Sequence, residues 1–189
     1  MKVNKKNIKI YIKMKALKII GIVLATIIAI ILIVALFIPK EFAYEKSISI
    51  NAPIDSVWAN ANSLAALDKW SPWNDHDPNM KKIITGTDGT IGAKQSWDGK
   101  EVGKGSQTIA RIEKPTLFET ELVFYEPQES HGKGFVKLIT EGNGTNATWG
   151  MTGTMPYPFN IMNLFMNMEK SKGKDWDKGL GRLKNLSEN

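Results

Sequence analysis

The chain has 189 residues, 25 of them Lys or Arg and 19 Asp or Glu, and no cysteine. That length allows one ordinary domain and a further segment, and the missing cysteine excludes disulfides and cysteine-zinc sites. Eight of the basic residues and no acid fall in positions 1–40, so the remainder carries seventeen basic against nineteen acidic residues; the net charge of +6 does not describe a nucleic-acid surface, and no nucleic-acid partner is expected.

Residues 1–18 form a basic N-terminus with seven lysines. Residues 19–38 follow, IIGIVLATIIAIILIVALFI, without a single charge. At about 1.5 Å per residue a helix of this length spans a hydrocarbon core of about 30 Å. A cleavable signal has an apolar region of about 7–15 residues and a small-x-small cleavage site. This run is longer and passes into PKEFAYEK without such a site, so an uncleaved single-pass transmembrane helix is expected. The lysine excess before it, against Lys40 and Lys46 after it, puts the N-terminus in the cytoplasm and the C-terminal domain outside the cell (inner) membrane, in the periplasm of a bacterium with two membranes. Gly21, Ala25 and Ala29 recur every fourth residue, a stripe along which two helices approach closely in a homodimer. Residues 39–44 are a linker that reaches at most about 20 Å, which keeps the domain near the bilayer.

The domain, 45–189, opens with EKSISINA, whose alternation predicts a strand, followed by short helices in PIDSVWANANS and SLAALDKW. Six strand-like segments succeed one another from KKIITG to TNATWGMTGTM, separated by turn residues and with a tight hairpin expected at Asp98-Gly99. Beyond Pro156 and Pro158 the period changes. Asn160 reads as an N-cap, and Ile161, Leu164, Phe165, Met168, Trp176, Leu180, Leu183 and Leu186 share one face of a helix of about 26 residues. Gly173, Gly179 and Gly181 each cost such a helix about 1 kcal/mol relative to Ala, which predicts a bend or a closely pressed sheet.

This order, together with the strings INAPIDSVW, KWSPW, GAKQSWDGKEVGKG, TWGMTG and KDWDKGLGRLKNL, resembles the SRPBCC superfamily, and within it membrane-anchored bacterial proteins of polyketide-cyclase-like type. That superfamily includes START lipid-transfer domains, polyketide cyclases and relatives of the major birch-pollen allergen. The resemblance implies an α+β helix-grip fold: an antiparallel sheet of about seven strands wrapped around a long C-terminal helix, with an apolar cavity between them. Function in such folds resides in the cavity.

No catalytic residue, metal site or cofactor is assigned. Asp75, His76 and Asp77 in WNDHDPN sit in what reads as a solvated loop, and neither they nor His131 belong to a set with metal-ligand spacing. The glycines of GTDGTIG and GKEVGKGS do not complete a phosphate loop. Alternation places Phe118, Leu122 and Phe124 on one strand face, and Trp149, Met151 and Met155 on another. The stretch MPYPFNIMNLFMNM holds four of the eight methionines, and Met162, Phe165 and Met166 are expected to face those strands, with Trp73 and Trp97 completing the pocket. Such soft side chains either fill a core or line a cavity that adapts to its ligand. The preferred reading is binding of an apolar or amphipathic, lipid-like small molecule without chemistry. Its rivals are a cyclase or hydrolase using Asp75, His76, His131 or Tyr125, and a membrane interaction module with a filled core.

The lysine asymmetry makes a direct prediction about sidedness. A reporter active only outside the cytoplasm, fused after Asn189, is expected to be active, and activity solely from a cytoplasmic reporter would reverse the orientation.

Overall fold

The structure, a computed structural model, describes residues 5–126, 129–164 and 168–189. Two compact units emerge: Met1–Lys40 with Pro156–Phe165, and Glu41–Met155 with Met166–Asn189.

In the first unit a helix, α1, runs over Lys5–Leu36. Its stretch Met14–Leu36 is long and apolar enough to cross a membrane, a property that membrane spans and secretory signal sequences share. A 3-10 turn, Phe159–Leu164, packs on its C-terminal end. Asn160 is therefore not the N-cap of the long C-terminal helix. Its side-chain Nδ2 donates to the carbonyls of Ala35 at 2.6 Å and Ile38 at 2.8 Å, and Asn163 Nδ2 donates to Pro39 O at 3.0 Å. Ile38 and Pro39 follow the helix, and Ala35 O also accepts from Ile38 N at 3.4 Å, so these amides tie down the chain where it leaves α1.

The second unit is the helix-grip domain. Seven strands, β1 (Glu41–Ile50), β2 (Lys81–Thr85), β3 (Lys94–Gly99), β4 (Gly103–Glu113), β5 (Leu117–Phe124), β6 (Ser130–Glu141) and β7 (Gly144–Thr154), form one antiparallel sheet in the order β1-β7-β6-β5-β4-β3-β2. Thus β2 to β7 are a meander, and β1 closes on its last strand. Asp98 and Gly99 are still paired, with Lys104 and Gly103, so the turn falls at residues 100–102, later than the dipeptide suggests. A register shift between Ile109 and Arg111 breaks the β4–β5 ladder, the kind of irregularity that bends a sheet.

Three short helices, α2 (Ile54–Ala59), α3 (Leu64–Trp70) and α4 (Trp73–His76), connect β1 to β2. The backbone N–H groups at the start of α3 are met by side chains: Leu64 N and Ala65 N donate to Asp88, and Ala66 N to Ser63 Oγ. The C-terminal helix, α5, spans Met168–Glu188, shorter than its apolar periodicity suggests. Leu180 and Leu183 of α5 are buried with Ile50, Val57, Phe118, Val136, Leu138 and Ala147 in one core, whereas Leu186 is largely exposed. Polar ties hold α5 to β1 and its end: Lys46 Nζ meets Asp177 at 2.7 Å, Lys184 Nζ donates to Ser49 O at 2.7 Å, and Asn51 N donates to Glu188 Oε1 at 2.6 Å.

The helix glycines separate into different roles. A Cβ on Gly179 would stand 2.7 Å from the Trp149 ring and 3.3 Å from Pro72, whereas one on Gly181 meets nothing within 4 Å. Gly179→Ala is therefore expected to destabilise by about 1–3 kcal/mol through overpacking. Gly181→Ala should instead stabilise by about 0.5–1 kcal/mol by removing glycine's extra unfolded-state freedom. Urea midpoints of the two variants check the contrast, and equal shifts would refute the close contact.

Candidate functional site

Between the sheet and its helices lies a cavity of about 630 Å³. Its wall contains five of the six tryptophans, Trp70, Trp73, Trp97, Trp149 and Trp176, together with Phe118, Phe124 and Phe135. The rings hold one another in place. Trp149 of β7 packs edge-on against Trp70 of α3 and stacks on Trp176 of α5, with centroids 4.9 Å apart in both pairs, and Trp73 of α4 meets Trp176 edge-on at 5.7 Å. Such arrangements suit the ring quadrupoles. Across the sheet, Trp97 lies over Gly105, where an added Cβ would come within 2.2 Å of the ring, and packs against Phe124 at 5.7 Å.

The cavity is not wholly apolar. Gln95, nearly buried, accepts from Gln107 Nε2 at 2.7 Å, a pairing of neighbours across β3 and β4. Lys82 Nζ is held by Asp68 Oδ1 and Asn74 Oδ1. His76 Nε2 lies 2.8 Å from Asp175 Oδ1. Trp176 presents the exception: its indole N–H is buried and makes no hydrogen bond among the described residues. A buried donor without an acceptor costs about 1–3 kcal/mol, so this N–H is a local strain that the packing of the rings around Trp176 outweighs.

Of the residues expected from sequence to form the pocket, Trp73, Trp97, Phe118, Leu122, Phe124, Trp149 and Met151 lie on this wall. Met155 follows the last residue of β7 and is not on it. Met162 belongs to the 3-10 turn of the other unit, where its side chain is 46% exposed. Phe165 and Met166 fall outside the described residues. Gln95, Gln107, Lys82 and Asp68 were not anticipated, because their convergence depends on strand register and on the fold of the helical connection. The alternation of β3 and β4 was the available signal for the glutamines: Gln95 and Gln107 share the face of Trp97 and Gly105.

The WNDHDPN segment is a docked helical turn rather than a solvated loop. Asp75 binds Lys178 at 2.6 Å and Arg182 at 2.8 Å on α5, and these cations hold its carboxyl below the ordinary carboxylate range, Lys178 first. Asp77 turns the other way and accepts from Glu101 N at 2.9 Å in the β3–β4 turn. The three side chains therefore diverge. Among the described residues no group of His, Asp and Glu is arranged to hold a metal ion. Of the four polar residues considered for catalysis, only His76 reaches the cavity; Asp75 is engaged with α5, His131 pairs with Glu129 at 3.0 Å, and Tyr125, 42% exposed, meets Ser106 Oγ at 3.0 Å. The Ser106 hydroxyl holds the Tyr125 phenol below its usual range.

No protein-family model and no curated protein sequence matches the chain. Solved structures do, through the fold. The di-domain ARO/CYC StfQ from the steffimycin biosynthetic pathway superposes with a TM-score of 0.59 at 9% identity, over 79% of this chain and 52% of that one. A Thalictrum flavum norcoclaurine synthase point mutant, in complex with a transition-state analogue, gives 0.56 at 12% identity over 78% and 94%. A protein from Mesorhizobium loti gives 0.55 at 11% over 77% and 96%. The chain thus has a helix-grip α+β fold.

Because Asp75 is held ionised by its partners, the stability it contributes is present above the ordinary carboxylate pKa and is lost as pH falls through its depressed folded-state value. The stability difference between the parent and Asp75→Asn is therefore expected to be largest near neutrality and to shrink in strongly acid solution. A difference constant with pH would show that the Asp75 charge is not what matters.

Proposed function

We propose that this protein, anchored by α1 in a membrane, binds an amphipathic small molecule in the domain's cavity. The observation that carries the reading is the concave space of about 630 Å³, partly open to solvent, with eight aromatic side chains, five Trp and three Phe, on its wall. Ligand sites are commonly concave spaces of about 300–1,000 Å³ with apolar walls and a few placed polar groups. The polar groups on this wall, Gln95 with Gln107 and Lys82 with Asp68, already satisfy one another, so they accept an apolar body beside them at little cost. The fold neighbours support the same class, since their number includes polyketide cyclases and a norcoclaurine synthase holding a transition-state analogue.

One observation supports a second reading, an enzyme acting on such a molecule: His76 stands on the wall with Asp175 at its Nε2, a pair in which the carboxylate orients and stabilises an imidazole that accepts a proton. His76→Gln keeps the bulk and distinguishes the two. Binding persists under both readings, and only under the second is conversion of a bound ligand lost.

The cavity is tested by filling it. An apolar fluorescent probe is expected to bind the parent, and Leu122→Trp and Met151→Trp, which add bulk on the wall, should each block the probe while leaving the unfolding midpoint near the parent's. No binding by the parent, with a loss of about 1–3 kcal/mol in both variants, would mean a filled core and would end this proposal.

A further inference from the structure

The 3-10 turn on the end of α1 has an arrangement opposite to that of a water-soluble surface. Its asparagines point inward. Asn160 is fully buried and donates to Ala35 O and Ile38 O, Asn163 donates to Pro39 O, and Tyr157 Oη donates to Leu32 O at 3.4 Å. Its large apolar side chains point outward: Phe159 is 49% exposed, Met162 46% and Leu164 60%, beside Phe37 at 83% at the helix end. The partner carbonyls belong to Leu32 and Ala35 of α1 and to Ile38 just beyond its end, three apart, and Ala35 is buried while nearly all the described helix around it is bare. A small side chain there lets the turn seat directly on the helix.

In water such a turn would expose its apolar side and bury its polar one to no advantage. In hydrocarbon the pattern is the required one, because backbone carbonyls must be satisfied within the protein and apolar side chains are free to face lipid. The location agrees. Met14–Leu36 is about 34 Å long at 1.5 Å per residue, slightly more than a hydrocarbon core of about 30 Å, so Leu32 to Pro39 fall at a membrane boundary. Tyr157 then supplies an amphipathic ring at the depth where such rings are enriched, and Phe37 and Phe159 apolar ones beside it.

The geometry points to a lipid-facing collar: residues Tyr157–Leu164 insert beside the end of α1 into the outer edge of the bilayer, and the partner of their exposed face is acyl chain and headgroup boundary. This rests on reading α1 as an uncleaved membrane span, and the turn itself bears on that reading, since removing α1 would strip the buried Asn160 amide of its acceptor at Ala35 O.

The absence of cysteine makes the test clean, because any introduced cysteine is the sole labelling site. Phe159→Cys, Met162→Cys and Leu164→Cys in the full chain, each carrying an environment-sensitive nitrobenzoxadiazole dye, are reconstituted into phosphatidylcholine and phosphatidylglycerol vesicles, with His131→Cys as the water-exposed control. Intact mass is measured on the same samples. Loss of α1 from the purified protein would refute the anchor reading itself, separately from the collar. With α1 retained, the three collar dyes are expected to emit to the blue of the control and to be quenched several-fold more by lipid carrying a shallow doxyl group than by aqueous iodide. Control-like emission at all three sites would overturn the collar. So would blue emission without lipid quenching, the outcome expected if protein, a second copy included, covers the face. Ala35→Leu, which fills the seat of the turn, should return the dyes toward the control, and dyes that ignore this change would also count against the proposal.

Discussion

The domain depends on the contact between the Trp149 ring and the bare backbone of Gly179. A helix that grips a curved sheet usually stands off it by the length of two side chains, yet here the indole lies where a Cβ would be, 2.7 Å from its would-be position. That closeness sets the height of α5 over β7. It also fixes the plane of Trp149, and through it Trp70 on one edge and Trp176 on the other, each at 4.9 Å. One short helix, α3, and the long one are thereby aligned on a single ring, and α4 joins them through Trp73 on Trp176. The cost of a glycine inside a helix, about 1 kcal/mol, is small beside the area that the ring and its neighbours bury.

The same contact accounts for the cavity. Close approach at Gly179, with the aliphatic core of Leu180 and Leu183 beyond it, brings the sheet and α5 together at one end, while the sheet curves away at the other. The rings that face this widening space are pinned by their edges and by glycine, as Trp97 is by Gly105, and cannot swing in to fill it. A core made of Leu and Met would collapse further, since those side chains repack at low cost, whereas interlocked indoles hold a shape.

Much of this was legible from alternation and period. A strand puts every second residue on one face, so Phe118, Leu122, Phe124, Trp149 and Met151 were placed by parity alone once β5 and β7 were recognised. The helical period of Trp176, Leu180 and Leu183 likewise marked the buried face of α5. The reading went astray where a pattern was extended past its element. Met155 continues the parity of β7 but lies beyond its end at Thr154, and Met162 continues the helical spacing back through a segment that is a 3-10 turn. Asn160 looked like a helix cap, and it is one, but for carbonyls at the end of α1 more than 120 residues earlier in the chain. Nothing in local sequence distinguishes these partners, because a capping amide recognises any orphan carbonyl. The Gln95–Gln107 and Lys82–Asp68 pairs were hidden for a related reason: each needs the register or path of a connection that sequence periodicity does not specify.

The two units also show one amino-acid preference answering to two surroundings. In the domain most large apolar side chains turn inward, Ile83, Ile91 and Ile139 being exposed exceptions, and Gln95 and Lys82 at the cavity each have a polar partner. In the unit built on α1, Phe159, Met162 and Leu164 turn outward and Asn160 inward. The hydrophobic effect alone explains the first arrangement and not the second. In the second, four backbone carbonyls near the end of α1, those of Leu32, Ala35, Ile38 and Pro39, receive donors from Tyr157, Asn160 and Asn163, while Asn160 Oδ1 is left buried without a partner among the described residues. An unmet carbonyl matters little where water is present and several kcal/mol where it is absent. A segment that commits three side chains to such carbonyls while leaving its apolar groups bare is the arrangement on which the proposed collar rests, and under that proposal Met162 need be neither core nor ligand wall to be accounted for.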